Sequence, residues 1–209
     1  MVKYDINTAE GEYQSGSNGK VLKNLLDLTD ESEMNEAETA LLFKLYEYLF
    51  SEKNTFAKPL SVAAIIDWHR KWLGNVYQWA GDTRTVNMGK GGFEFAAALQ
   101  VPRLLREFDK NYLAQSNELE NLNEDELVDY LAKVHVEFIL IHPFCEGNGR
   151  LSRLLLDVLV FKAGYEPLDY SLWDKHKDFY LKSIQAGASG NYEYMERLVR
   201  DVLKTVRPN

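Results

Sequence analysis

The chain has 209 residues, with 24 Lys and Arg against 32 Asp and Glu, a formal net charge of −8 and a single cysteine, Cys145. That length suits one domain with a short appendage, and the acidic balance argues against nucleic acid as a partner, because broad phosphate contact needs a basic stripe. One cysteine excludes an internal disulfide and suits a reducing compartment, and no apolar run approaches the roughly 18 residues of a membrane helix.

Met1-Val2-Lys3-Tyr4-Asp5 lacks the apolar stretch of a secretory signal. Residues 1–20, with Gly11, Gly16 and Gly19 and no sustained periodicity, read as an N-terminal arm, and residues 21–209 as one mostly α-helical domain. A helix start is signalled at Thr29-Asp30-Glu31-Ser32, after which Leu41, Leu42, Leu45, Tyr46 and Leu49 recur at helical spacing. A second helix is predicted after Pro59, with Val62, Ile65, Ile66, Trp68 and Leu73 on its apolar side. Arg84 to Phe95 reads differently: Thr85, Val86, Phe93 and Phe95 flank a glycine-rich centre, which predicts a short two-stranded flap.

Helical periodicity resumes at Val101, and Asn123 with Glu126 forms a capping-box start for a buried helix over Leu127 to Ile141. A second strongly apolar helix runs from Leu151 to Phe161 and ends at Gly164. Two more are predicted over Leu172 to Ala186 and Tyr192 to Val206.

Between the two apolar helices lies His142-Pro143-Phe144-Cys145-Glu146-Gly147-Asn148-Gly149-Arg150, with Arg153 one turn on. Glycines and an asparagine at a helix N-terminus expose backbone donors that favour an anion. Arg150 and Arg153 add forked donors suited to phosphate oxygens. Glu146 offers the hard oxygen that Mg²⁺ takes when shared with a nucleotide's phosphates, and His142 can accept a proton near neutral pH.

The run resembles the signature of the Fic (Fic/Doc) family, His-Pro-Phe-x-(Asp/Glu)-Gly-Asn-Gly-Arg-x-x-Arg, with every specified position filled. Trp79 to Val86 with Lys90 to Phe93 is similar to the family's upstream hairpin, and Val21 to Leu26 to the entry of its first helix, so the resemblance covers residues 20–202. It implies a Fic-type helical bundle and a protein adenylyltransferase. By that resemblance His142 would deprotonate a target hydroxyl, that oxygen would attack the α-phosphorus of ATP, pyrophosphate would leave, and the target would keep AMP. Glu146 would bind Mg²⁺; Gly147, Asn148 and Gly149 would cradle phosphates; Arg150 would hold the terminal phosphates. Arg153 would reach the γ-phosphate or pair with a regulatory carboxylate, with an ion pair to Asp157 as its structural alternative. Phe144 would anchor the loop in the core. The flap residues Lys90, Gly91, Gly92, Phe93, Glu94 and Phe95 would pair with the target backbone, and Tyr180, Leu181 and Ile184 would flank adenine.

The blander readings are specific too. Cys145 reads as a small buried filler rather than a nucleophile. His135 reads as a core histidine rather than a metal ligand, and His69 and His176 as surface residues. For regulation, the family's inhibitory pattern (Ser/Thr)-x-x-x-Glu-(Gly/Asn) matches literally only at Ser116 to Asn121, while Thr29 to Met34 and Ser189 to Tyr194 keep the spacing without the last residue. Inhibition is therefore expected in trans, from a small antitoxin-like protein that brings its own glutamate. The expected partners are ATP, Mg²⁺ and a protein with an acceptor Ser, Thr or Tyr, in the cytoplasm, without membrane or nucleic acid. The alternatives are a Fic-fold transferase with another nucleotide or a phosphocholine donor, and a non-catalytic nucleotide-binding module.

Overall fold

The structure, a computed structural model, describes residues 11–51 and 60–206. Pro59, the first ten residues of the arm and the last three of the chain lie outside the described residues. The described residues divide into two units discontinuous in sequence: one of 11–51, 62–104 and 142–148, the other of 60–61, 105–141 and 149–206. Among the described residues the regular structure is helical apart from two short strands, and besides three 3₁₀ turns it runs in the order α1 (Glu31–Leu49), α2 (Val62–Leu73), β1 (Gly89–Lys90), β2 (Phe93–Glu94), α3 (Val101–Asn111), α4 (Glu124–Ile141), α5 (Asn148–Lys162), α6 (Ser171–Lys175), α7 (Lys177–Gly187) and α8 (Glu193–Leu203).

In the first unit, the described part of the arm is a tight hairpin. Gln14 N–H donates to Val21 O and Lys23 N–H to Glu12 O, both at 2.8 Å. Buried Asn24 then turns the chain: its Oδ1 accepts from the N–H groups of Leu26 and Leu28, while its Nδ2 donates to Leu22 O and Leu28 O. The sequence there is similar to a helix entry, yet α1 begins only at Glu31, where Asp30 caps the N–H groups of Ser32 and Glu33. α1 meets α2 through fully buried Glu38, whose backbone O accepts from Trp72 Nε1 at 2.8 Å and whose Oε1 accepts from Tyr77 Oη at 2.6 Å. The predicted flap is a two-stranded antiparallel hairpin that pairs Gly89 with Glu94 and Lys90 with Phe93. Gly91 and Gly92 form its turn at φ +59° and +79°, the sign a tight two-residue hairpin needs.

In the second unit, α4 is the core helix. Leu127, Val128, Leu131, Ala132, Val134, Val136 and Phe138 are all at most 2% exposed, and each fully buried large aliphatic or aromatic side chain contributes roughly 1.5–3 kcal/mol. The capping box is reciprocal: Asn123 N–H donates to Glu126 Oε2 and Glu126 N–H to Asn123 Oδ1, each at 3.0 Å. α4 packs on α7 and α8. A Cβ at Gly187 would stand 2.3 Å from Val136 Cγ1, so glycine is what lets α7 approach α4 so closely. α5 starts three residues before Leu151 and ends as predicted at Gly164, at φ +84°. The single helix predicted over 172–186 is two, because His176, at φ −110° and ψ 41°, leaves the helical region between α6 and α7. Among the described residues, no helix is long and apolar enough to cross a membrane.

Candidate active site

α4 stops at Ile141 because Pro143 disfavours helical backbone at the residue before it. His142 instead adopts φ +48°, a left-handed conformation that costs a non-glycine residue about 1–2 kcal/mol. Arg84 holds it there. Its Nε donates to His142 O at 2.6 Å, its backbone N–H donates to Pro143 O at 2.8 Å, and its two Nη atoms donate to Val86 O and Ala96 O. Arg84 is only 2% exposed. The His142 ring lies flat against Phe95 of the flap, with centroids 3.6 Å apart and planes at 9°.

His69, expected at the surface, is fully buried. Its place follows from α2: Ile65, His69, Trp72 and Leu73 share one helical face, a spacing visible in the sequence but masked by the charged neighbours Asp67, Arg70 and Lys71. Nδ1 of His69 accepts from Gly81 N–H at 2.8 Å, so the proton of the neutral ring sits on Nε2, which donates to Glu146 O at 3.1 Å. The ring stacks on Phe144 at 3.9 Å and 5°. One histidine thus joins α2, the Trp79 to Asp82 turn and the signature loop.

Within the loop, Gly147 sits at φ +83°, and a Cβ there would stand 2.7 Å from Trp72 Cζ3. Its N–H donates to Glu146 Oε1 at 2.8 Å. Asn148, 1% exposed, clamps Phe144 from both sides: Oδ1 accepts from Phe144 N–H at 2.9 Å and Nδ2 donates to Phe144 O at 2.7 Å. The Asn148 side chain is therefore committed to the loop's shape and the Gly147 N–H to Glu146, which leaves the backbone donors of Asn148 and Gly149 for an anion at the start of α5. Phe144 and Cys145 are buried at 1% and 2% exposure, a filler's environment for the thiol.

His142 Nε2 and Glu146 Oε2 are buried atoms that make no hydrogen bond among the described residues, although both residues have other contacts. No group of three or more His, Cys, Asp or Glu side chains is arranged as a metal cage among the described residues. A single carboxylate beside a glycine-rich helix start is all the same a donor set that Mg²⁺ takes when it shares a nucleotide's phosphates and completes its shell with water.

In the second unit, Gly149 is exposed and Arg150 half-buried. Arg153 pairs with Asp174 rather than Asp157, through Nη2 to Oδ1 at 2.6 Å and Nη1 to Oδ2 at 3.2 Å. Asp157 accepts instead from Leu168 N–H and Tyr170 Oη, and the Tyr170 ring lies 5.1 Å under the Arg153 guanidinium. His135 is a core residue, as expected. Its Nε2 meets Tyr180 Oη at 2.9 Å, and burial, then the Arg153 charge, lower its pKa to about 3. The three residues expected at adenine do not share a face: Tyr180 turns inward onto Trp173 and His135, Ile184 is 3% exposed, and Leu181 is 42% exposed. His176 is exposed, as expected.

Lys90, Gly91, Gly92 and Glu94 of the flap are exposed, while Phe93 and Phe95 are half-buried and meet edge to face at 5.8 Å. Ser116 lies between 3₁₀ turns, fully buried, with its Oγ accepting from Leu60 N–H at 3.3 Å. Thr29 to Met34 spans the capped start of α1, and Ser189 to Tyr194 the turn before α8.

The sequence matches the Fic/DOC family over residues 59–160. It is 28% identical over 183 residues to protein adenylyltransferase VbhT of Bartonella schoenbuchensis, covering 86% of this chain and 36% of that protein. It is 29% identical over 149 residues to probable protein adenylyltransferase y4lH of Sinorhizobium fredii, covering 70% and 73%. The chain thus spans about a third of the first of these relatives and about three quarters of the second. Among solved structures, the N-terminal Fic domain of a putative cell filamentation protein of Bartonella quintana with bound ADP superposes with a TM-score of 0.75 at 25% identity, covering 94% of each chain. The N-terminal FIC domain of Bep8 from Bartonella sp. 1-1C gives 0.75 at 22%, covering 88% and 90%, and shares the mostly helical fold with its small hairpin.

Proposed function

Because the chain belongs to the Fic/DOC family, we propose that it is a protein adenylyltransferase, which moves AMP from ATP to a hydroxyl side chain of a target protein and releases pyrophosphate. The observation that carries this reading is the conformation of the loop 142–148. Four separate anchors, Arg84, His69, Asn148 and Trp72 against Gly147, hold it in one shape with the imidazole at one end and a helix N-terminus at the other. Phosphoryl-type transfer needs such positioning more than it needs covalent help.

In this reading His142 Nε2 takes the proton of the acceptor hydroxyl, whose oxygen attacks the α-phosphorus in line while the bond to pyrophosphate breaks. Backbone donors of Asn148 and Gly149, that of Gly147 once Glu146 Oε1 releases it, and the Arg150 guanidinium hold phosphate oxygens as charge shifts to them. Arg153 takes the terminal phosphate once it leaves Asp174. Glu146 supplies the carboxylate for Mg²⁺, which when bound neutralises phosphate charge. Residues 21–209 form the catalytic domain and 1–20 its arm. The flap accepts the target backbone as an added strand; of the three residues expected at adenine, exposed Leu181 is the one left to meet the base, since Tyr180 and Ile184 pack inward. A glutamate from an antitoxin-like partner inhibits in trans, since the internal match at 116–121 starts on a buried Ser116 engaged with Leu60 between 3₁₀ turns and not on a helix; the cytoplasm is the compartment proposed.

The test is incubation with Mg²⁺, a cell lysate and ATP labelled once at the α- and once at the γ-phosphate. Protein labelling from α and not γ is expected, and loss of the label in His142→Ala. Labelling from γ alone would mean phosphorylation and overturn the reading.

A further inference from the structure

Arg84 carries a charge into a place 2% exposed to solvent, where desolvation is costly unless every donor is used. Its acceptors are carbonyl groups from three separate stretches: His142, the base of the proposed reaction; Val86, on the chain leading into β1; and Ala96, just past β2. A fourth bond, from its backbone N–H to Pro143 O at 2.8 Å, binds it to the signature loop a second time. The guanidinium is planar and its donors point in fixed directions, so it sets the spacing of those three carbonyls. Both legs of the flap and the residue carrying the imidazole are tied to one rigid group. Phe95, one residue before Ala96, lies on the His142 ring at 3.6 Å, so the same bonds also set the stack.

We propose that Arg84 is a positioning residue that fixes the distance between the flap and His142, so that a strand docked on the flap delivers its hydroxyl to the base. The inference rests on the adenylyltransferase reading. Its consequence follows from geometry: a displacement of about 1 Å between base and acceptor costs about 100-fold in rate. Lysine keeps the charge but offers a single nitrogen, which cannot span three carbonyls in one plane. The damage should fall on transfer rather than on nucleotide binding, whose proposed donors lie elsewhere, at Gly147 to Arg153.

The experiment has three readouts. On the wild-type protein labelled with ¹⁵N-arginine, the Arg84 Nε–H signal should exchange with water far more slowly than the signals of exposed arginines. In Arg84→Lys, the initial rate of α-label incorporation into lysate protein at saturating ATP should fall 10- to 100-fold. Its affinity for a non-hydrolysable ATP analogue should stay within twofold, and amide exchange at Phe95, whose N–H donates to Met88 O at 3.0 Å, should quicken. A rate within twofold of wild type, or a rate and nucleotide affinity that fall together, would overturn the proposal. So would fast exchange at Nε–H in the wild type, a measurement that stands even if the variant does not fold. If the wild type transfers no AMP, the adenylyltransferase reading fails, and Arg84 is judged as a flap-to-loop strap by the two exchange measurements.

Discussion

Arg153 and Asp174 face each other across two hydrogen bonds of 2.6 and 3.2 Å, in the forked geometry that a guanidinium also offers to phosphate. Arg153 is 26% exposed and Asp174 65%, so water screens the pair and its worth is below about 1 kcal/mol. That energy decides how much a phosphate must offset to take Arg153. Asp174→Asn should therefore tighten binding of a non-hydrolysable ATP analogue by up to about fivefold, with little change in melting temperature. Calorimetric titration of both proteins checks this; equal affinities would mean that Arg153 does not reach the nucleotide.

Gly147 tolerates no side chain, for two independent reasons: its φ of +83° and a Cβ position 2.7 Å from Trp72 Cζ3. Left-handed backbone costs about 1–2 kcal/mol and overpacking about 1–3. Gly147→Ala should lower stability by about 2–5 kcal/mol, seen as a drop in denaturant midpoint at unchanged slope.

Asn148→Asp changes one atom and should be worse than its size suggests. Nδ2 of Asn148 donates to Phe144 O at 2.7 Å, and aspartate would set a negative oxygen against that carbonyl in a site 1% exposed. Losing the bond and leaving a buried carbonyl unsatisfied costs about 1–3 kcal/mol before the repulsion is added. Thermal unfolding of the variant should show at least that loss at neutral pH, and partial recovery as the pH falls and the carboxyl gains a proton it can donate.

His135 makes stability fall in acid. Its folded pKa, about 3, lies below its ordinary 6.5, because burial and then Arg153 disfavour the charged ring. Above pH 6.5 both folded and unfolded forms are neutral and nothing is lost. Between 6.5 and 3 the unfolded chain takes a proton that the folded one refuses, so stability drops by roughly 1.4 kcal/mol per pH unit in that window. Urea titrations at pH 7, 6, 5 and 4 should show this slope in the wild type and a shallower one in His135→Gln.

The signature run was legible because the residues that mark it are adjacent in the chain. A proline after His142, two glycines and an asparagine mark a turn and a helix start, although Arg84 and His69 hold that turn's shape from a distance, and the paired signals at Asp30, Asn123 and Gly164 mark their caps locally. The flap's Gly91-Gly92 turn belongs with them.

What local pattern did not reveal is how distant residues converge. His69 looked exposed because its immediate neighbours are charged, and it is buried because the opposite side of the same helix is not. Arg153 had a carboxylate four residues on, yet it takes Asp174, twenty-one positions away, while Asp157 is drawn to Tyr170. Arg84 was simply part of a familiar stretch until its bonds linked the flap to His142. Backbone conformation is set by a few neighbouring residues, so helices, turn and signature could be read along the chain. Which buried donor meets which acceptor depends on where the folded chain brings them, and that choice gave His69, Arg84 and Asp174 their parts.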